Sequence, residues 1–438
     1  MSRDGATLRV SAKAGSKRTR PTSELEVEIE DLTLGPWGIG HIDGKAVMVP
    51  NSAPGDVLRV SITESRRDYL LARLNSVRAG GPARRAAPCA FLPRCGGCDW
   101  QHIDYSQQVA AKGRLIAAEL NRALGLELDP VGLVIPAPKE FAYRSRVRLK
   151  VRGGSVGFFE TASNRLVEVD RCLIADDELS FEPARRLARV LIGRCEEIEI
   201  VKASDRQVLV VYLRGRIQSA DETKASEAMA GGERIAGIIL RGAGSRVTLG
   251  EVAATVELEA GMTVRADADA FSQVNHTCNR RLIASVMEQA AIDPGVQVLD
   301  LFCGGGNFSL PAARRGARVL GVDADPIAIT AAQRSAAQLG LEQARFVAMQ
   351  AQEMAPFLLR AGHRPQVIIL DPPRSGAREL MKMIGALQAA RIVYVSCNVA
   401  TLARDLRMLR GSGYAVASVK GFDFFPNTHH CEVLALLT

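Results

Sequence analysis

The run VQVLDLFCGGGNFSLPAA, residues 296–313, constrains the fold more than any other stretch of the chain. An apolar strand, Val296 to Leu301, carries an acid, passes through Gly304, Gly305 and Gly306, and opens into a helix. Consecutive glycines let the backbone approach a ligand at the carboxyl end of a strand, where open α/β sheets bind their cofactors. A second strand, in ARVLGVDADP, ends at Asp323, a carboxylate placed to accept hydrogen bonds from both hydroxyls of a ribose. A further strand, in VIILDPPRSG at 367–376, ends at Asp371. The glycines lack the G-x-G-x-x-G spacing of a dinucleotide site. From about Met262 onward strands alternate with helices, so the fold class is α/β, with a Rossmann-like half over residues 263–438.

Within that half, IVYVSCNVATLAR at 392–404 is an apolar run that delivers Cys397 into a polar turn. A cysteine just past a buried strand, flanked by cofactor motifs, is a candidate nucleophile.

The amino-terminal part reads differently. Residues 1–23 form a basic arm expected to be disordered: Arg3, Arg9, Lys13, Lys17, Arg18 and Arg20 face a single acid, Asp4. Over 24–79, short strand-like runs are separated by Gly35-Pro36, Asp43-Gly44 and Pro54-Gly55, the rhythm of a small five-stranded OB-like barrel. Arg59, Arg66, Arg67, Arg73 and Arg78 could give it a basic, nucleic-acid-binding surface, and the arrangement resembles the TRAM domain. A linker, AGGPARRAAP, leads to Cys89, Cys95 and Cys98, three cysteines in ten residues that can surround one metal centre. The fourth ligand is Cys172 or, in reserve, Cys195, and the spacing leaves zinc and an iron–sulfur cluster both open. Tyr105 to Leu124 reads as an architectural helix stopped by Gly125, within a segment, 99–129, that would pack on the catalytic half. In FAYRSRVRLKVRGG, Arg144, Arg146, Arg148, Lys150 and Arg152 fall on one face of a strand, an unpaired positive face suited to phosphate. Residues 80–98 and 130–262 would then form a small α+β central domain around the cysteines.

Composition supports a nucleic-acid partner. The net charge is +8, and only 10 of the 56 basic residues are lysine, so arginine, which suits phosphate forks and base stacking, dominates. No apolar run is long enough to span a bilayer, so no membrane partner is expected. Nine cysteines without a secretory segment imply a reducing compartment, hence a cytoplasmic protein without disulfides. No obligatory protein partner is implied.

Five stretches carry a resemblance: FSQVN at 271–275, DLFCGGGNF at 300–308, DPPRSGA at 371–377, YVSCNVATLARD at 394–405 and DFFPNTHHCE at 423–432. Together they resemble the RNA uracil-C5 methyltransferase family. With the barrel and the cysteine cluster added, the chain is similar to the class of that family that acts on bacterial 23S ribosomal RNA and carries a 4Fe-4S cluster. The resemblance implies S-adenosylmethionine as cofactor, Cys397 as the nucleophile that adds to uracil C6, and Glu432 as the base that removes the C5 proton. It implies cofactor contacts at Gln273, Phe302, Asn307, Asp323, Gln350 and Asp371, and a substrate contact at Arg374. It also implies that Cys172 joins Cys89, Cys95 and Cys98 as a cluster ligand. Gln350 departs from the shorter amide or acid expected there, and Phe424, Asn427 and His429 stand where the family usually has methionine, histidine and glycine. Competing expectations are the same chemistry on a transfer RNA or another ribosomal uridine, and a non-catalytic RNA-binding iron–sulfur protein. The presence of both Cys397 and Glu432 opposes the latter. A radical enzyme would need C-x3-C-x2-C, whereas this chain has C-x5-C-x2-C.

Overall fold

The computed structural model describes residues 24–230 and 234–438, so the expected basic arm lies outside the described residues. Three main sheets and one hairpin, Ala253–Glu259 with Met262–Asp267, build the fold.

The first sheet holds strands Leu25–Glu28, Asp31–Leu32, Trp37–Ile42, Lys45–Pro50, Val57–Ser65 and Tyr69–Ala79. The hairpin turn at Asp43-Gly44 has positive φ at both residues, as a tight two-residue connection requires. Six strands form where the sequence pattern implies five, because the two-residue strand Asp31–Leu32 also pairs with Trp37–Ile42. Val27, Val47, Val49, Leu58 and Val60 fill the interior. Asp56 closes the barrel onto the linker, accepting from Ala53 N–H at 2.6 Å, Gly81 N–H at 3.0 Å and Arg84 Nε at 2.8 Å.

The central sheet has seven strands, with Arg146–Arg152 between Ser155–Phe159 and Cys195–Ala203. Helices Glu182–Val190 and Ser219–Ala230 cover one face through Ala184, Leu187, Ala225 and Ala228. Here the expected unpaired basic face is corrected. The antiparallel register sets Glu197 opposite Lys150 and Glu199 opposite Arg148. Arg148 donates to Glu199 at 2.8 Å, Lys150 pairs with Glu197, and buried Arg146 lies 3.8 Å from Glu199. The neutralising acids come from a strand some fifty residues on and are invisible to a local reading of 141–152.

The third sheet has eight strands in the order Ala344–Ala348, Arg318–Asp323, Gln297–Leu301, Val367–Leu370, Arg391–Ser396, Glu432–Leu437, Val416–Phe422, Val134–Ile135. The first five are parallel, and Glu432–Leu437 enters antiparallel beside Arg391–Ser396. Both faces are covered, which is why Val367–Leu370 and Glu432–Leu437 are buried throughout and, apart from Glu432 itself, read as unbroken apolar runs. Val298, Val367 and Ile369 face helices His276–Ala290, Ser309–Arg314 and Pro326–Gln338. Leu299, Ile368 and Leu370 face Tyr105–Leu124, Ala351–Arg360, Met381–Ala386 and Val399–Arg410. Helix Tyr105–Leu124 starts on an Asp104 cap and stops at Gly125 in the left-handed region, as its sequence predicts. Arg114 on this helix also pairs with Asp31 of the barrel at 2.7 Å.

Candidate active site

The parallel part of the third sheet starts at Gln297–Leu301, builds outward to Ala344–Ala348, then crosses back to Val367–Leu370. That reversal places a crevice at the strands' carboxyl ends, where Asp323 ends its strand and Phe302 and Asp371 directly follow theirs. Phe302 has φ +65° and turns the chain into the glycine loop. A Cβ on Gly304 or Gly305 would meet nothing within 4 Å, so this backbone faces open space. Gly306 is different: at φ +91° a Cβ would lie 2.8 Å from Leu310 Cγ. Asp323 accepts Gly304 N–H at 2.9 Å and Asp325 N–H at 2.9 Å, fixing the loop to the end of the neighbouring strand. Gln350 is exposed at the amino end of Ala351–Arg360 and makes no side-chain cap bond. Asn307 exchanges two amide hydrogen bonds with Asn279, at 2.8 and 3.1 Å, which orients it from helix His276–Ala290. Gln273 is half-buried two residues before Asn275, which caps that helix. Asp300, beneath the glycines, is fully buried, and burial pushes its carboxyl up to about 7 despite a 2.6 Å bond from Ser309 Oγ.

Strand register brings the expected nucleophile and the expected base together. Ser396 faces Val433 across the antiparallel pair, so one residue further Cys397 leaves its strand opposite Glu432. Burial pushes the Cys397 thiol up to about 11; Glu432 and Asp371 add to the rise, and Arg374 opposes it. Burial raises the Glu432 carboxyl well above the usual range, Asp371 adding and Arg374 opposing. Burial likewise holds Asp371 up, to about 7. Cys397, Glu432, Asp371 and Arg374 therefore share one electrostatic environment.

The Asp371–Ala377 loop is held by residues whose part the sequence reading did not assign. Buried Asp405 accepts from Ala377 N–H at 2.7 Å and Tyr394 Oη at 2.7 Å. Thr401 donates to Arg374 O at 3.2 Å, and Arg404 to Ser375 O at 2.9 Å. The YVSCNVATLARD segment thus presents the thiol and clamps the loop bearing Asp371 and Arg374. Their polar character was visible in the motif; their common target was not.

Cys397 opens onto a cavity of about 200 Å³ whose wall includes Arg374, Asn398, His429, His430, Lys112, Leu115, Ile116 and, from the barrel, Leu34. The helix expected to be only architectural therefore lines the cavity. Lys112 is held by Asp423, and Asn427, in the left-handed region at φ +68°, bonds Gln108 through N–H at 2.8 Å and Glu140 O through its amide at 3.1 Å.

The chain matches the family described as tRNA (Uracil-5-)-methyltransferase over residues 158–438 and the TRAM domain over 18–74. It belongs to the tRNA (uracil-5-)-methyltransferase family. Relatives of this methyltransferase chain include the 23S rRNA (uracil(1939)-C(5))-methyltransferase of Pectobacterium atrosepticum, 31% identical over 96% of this chain and 95% of that one. The enzyme of the same name from Pseudomonas aeruginosa is 33% identical over 100% and 99%. Among solved structures, the Pyrococcus abyssi tRNA (uracil-54, C5)-methyltransferase in complex with S-adenosyl-L-homocysteine is similar at a TM-score of 0.74. It is 24% identical, covers 94% of this chain and 99% of that one, and shows the shared fold.

In this family member Cys89, Cys95, Cys98 and Cys172 line one cavity of about 310 Å³, with Gln101, Arg144 and Arg148. Gly96 is needed there, since its N–H donates to Phe159 O at 3.0 Å and a Cβ would lie 3.0 Å from that oxygen. Burial pushes the Cys98 thiol up to about 12, and Cys172 and Cys95 add to the rise. Cys195 is buried among Leu187, Leu191 and Ile198 and is not part of this cavity wall. Among the described residues, no group of three or more His, Cys, Asp or Glu is arranged to hold a metal ion as it stands. Also among them, no helix is long and apolar enough to cross a membrane.

Proposed function

We propose that the chain transfers a methyl group from S-adenosylmethionine to C5 of a uridine in 23S ribosomal RNA. The observation that carries this reading is the register-set pairing of Cys397 with Glu432 beside the crevice. Bound S-adenosylmethionine supplies the electrophilic methyl group. Cys397 adds through sulfur to C6 of the uracil, and the C5=C6 electrons become available at C5. Arg374, the cation that favours the charged forms of both Cys397 and Glu432, offsets their burial. After C5 is methylated, Glu432 takes the C5 proton, the C5=C6 bond re-forms and the Cys397 thiolate departs. Gln273, Phe302, Asn307, Asp323, Gln350 and Asp371 are proposed to seat the cofactor. The target base must leave its stack to reach this cavity, and exposed Arg59, Arg67 and Arg73 on the barrel supply phosphate contacts. Choice of ribosomal RNA follows the relatives named above, and a cytoplasmic location goes with it.

We also propose that Cys89, Cys95, Cys98 and Cys172 hold a 4Fe-4S cluster. The four thiols lining one cavity would serve as the thiolate ligands of such a group. Its cationic iron would also oppose the burial and, secondarily, the mutual repulsion that raise the thiols. It would tie the 89–98 loop to the segment at Cys172; no step of methyl transfer passes through it. Equal iron and sulfide in anaerobically purified protein, lost in Cys172→Ala, is the expected result, and protein free of both under those conditions removes the cluster.

The deciding experiment is trapping on RNA containing 5-fluorouracil, which lacks the C5 proton that Glu432 must remove. A covalent adduct is expected with the wild-type chain and none with Cys397→Ala. Adduct formation by that variant would assign the nucleophile elsewhere, and a modification map of 23S RNA unchanged in cells lacking the protein would remove the ribosomal substrate.

A further inference from the structure

Between the cysteine-lined cavity and Arg374 runs a series of side chains, Asp99, His429 and His430, with no part in the steps above. Asp99, the residue after Cys98, accepts the backbone N–H of His429 at 3.2 Å and pairs with its Nδ1. The His429 ring lies on that of His430, centroids 4.0 Å apart and planes tilted by 49°. His430 Nδ1 is 3.0 Å from an Arg374 guanidinium nitrogen. A guanidinium can only donate, so Nδ1 is the acceptor and this imidazole is neutral. Its surroundings agree, since burial, His429 and Arg374 all hold its pKa down, to about 3. Arg374 is the cation facing both Cys397 and Glu432.

Two departures from the family pattern meet at this contact. Where the family usually has glycine this chain has His429, and a glycine has no ring with which to reach Asp99. Asn427 also differs, and its carbonyl accepts the N–H groups of Asp99 at 3.1 Å and Trp100 at 3.0 Å. The 423–432 loop is therefore fastened to the segment after the cysteines through the His429 ring and the Asn427 backbone carbonyl.

We propose that Asp99 is a positioning residue for methyl transfer, holding His429 against His430 so that Arg374 stays beside Cys397 and Glu432. The proposal rests on the reading of Cys397 and Glu432 as nucleophile and base. Asp99 touches neither substrate nor reacting atoms; it acts through two rings and one guanidinium. The charged groups facing Cys397 are Glu432, Asp371 and Arg374. His429, His430 and Lys112 share its cavity, with Lys112 committed to Asp423.

The test uses the full-length protein as Asp99→Ala, His429→Gly and the double variant. Methyl transfer to a 23S RNA fragment is measured, and alkylation of Cys397 by iodoacetamide is followed by peptide mass spectrometry from neutral to alkaline pH. Each single variant is expected to lower kcat about tenfold with KM for RNA nearly unchanged, the cost of a misplaced group remote from the reacting atoms. Each should also move the Cys397 alkylation midpoint to higher pH, because Arg374 no longer favours the thiolate. The double variant should be no slower than the poorer single one, and Asp99→Asn, which keeps an acceptor oxygen, should recover most of kcat. The proposal is overturned if kcat and the midpoint stay unchanged, if the losses multiply, or if only KM for RNA rises. His429→Gly leaves the cysteine segment intact, so it keeps the test decisive if Asp99→Ala disturbs that segment. Cys397→Ser in the same assay separates the two readings, since methylation by that variant would sink the nucleophile assignment itself.

Discussion

The Lys112 ammonium lies 2.6 Å from the Asp423 carboxylate, with both side chains essentially inaccessible to water. The pair joins helix Tyr105–Leu124 to the segment before Glu432 across 311 residues of sequence, and Lys112 also donates to Phe425 O at 3.2 Å. Breaking a buried pair from one side leaves the other charge uncompensated, so Lys112→Met should cost about 3–5 kcal/mol in denaturant unfolding. The double variant Lys112→Met/Asp423→Leu should be more stable than Lys112→Met alone. If the single variant unfolds at the wild-type midpoint, the pair contributes nothing to stability.

The pH dependence of catalysis follows from the same burial that forms the site. With Cys397 raised to about 11 by burial and by Glu432, its thiol is mostly protonated at neutral pH in the free protein, and burial raises the Glu432 carboxyl as well. Activity requires the thiolate, and later the carboxylate, so kcat/KM should rise with pH through the neutral and mildly alkaline range, approaching tenfold per unit. Arg374 favours both charged forms. Arg374→Ala should therefore lower the rate at any fixed neutral pH and displace the profile to higher pH, as steady-state methyl transfer would show. A profile that falls with pH over this range would contradict the assignment.

Asp405 tests the loop clamp. Asp405→Ala strips acceptors from Ala377 N–H and Tyr394 Oη, both buried, at a cost of about 1–3 kcal/mol for each orphaned group. Thermal unfolding should show the loss, and methyl transfer should fall further than in Tyr394→Phe, which removes one bond and leaves Ala377 held. Equal behaviour of the two variants would mean that the Ala377 contact does not hold the loop.

Gly306 tests the cofactor crevice. At φ +91°, with Leu310 Cγ 2.8 Å from a would-be Cβ, Gly306→Ala combines backbone strain of about 1–3 kcal/mol with a clash. Calorimetric titration with S-adenosylmethionine should show weaker binding in this variant. Gly305→Ala, whose Cβ would meet nothing within 4 Å of protein, should fold normally and report on ligand contact alone.

Much of this protein is legible locally. The α/β half, the glycine loop and the acids ending its strands follow from short-range pattern, because strand period, glycine conformation and strand-end chemistry are set by neighbours in sequence. The stop of helix Tyr105–Leu124 at Gly125 and the turn at Asp43-Gly44 are of the same kind. The basic stretch at 144–152 shows where such reading fails, since the charges of Arg146, Arg148 and Lys150 are answered by Glu197 and Glu199 through sheet register.

The linear pattern therefore carries the inventory: a strand delivering Cys397, an acid at 432, four clustered or outlying cysteines, and the order of elements that carry them. The pairings arise only on folding. Antiparallel register set Cys397 opposite Glu432, the return of the 423–432 loop brought Asp423 to Lys112 and His429 to Asp99, and sheet packing brought Cys172, not Cys195, to the cavity of the other three thiols. The physical reason is that burial and charge compensation act through space, between groups hundreds of residues apart, and a linear pattern carries no record of which distant partner will arrive.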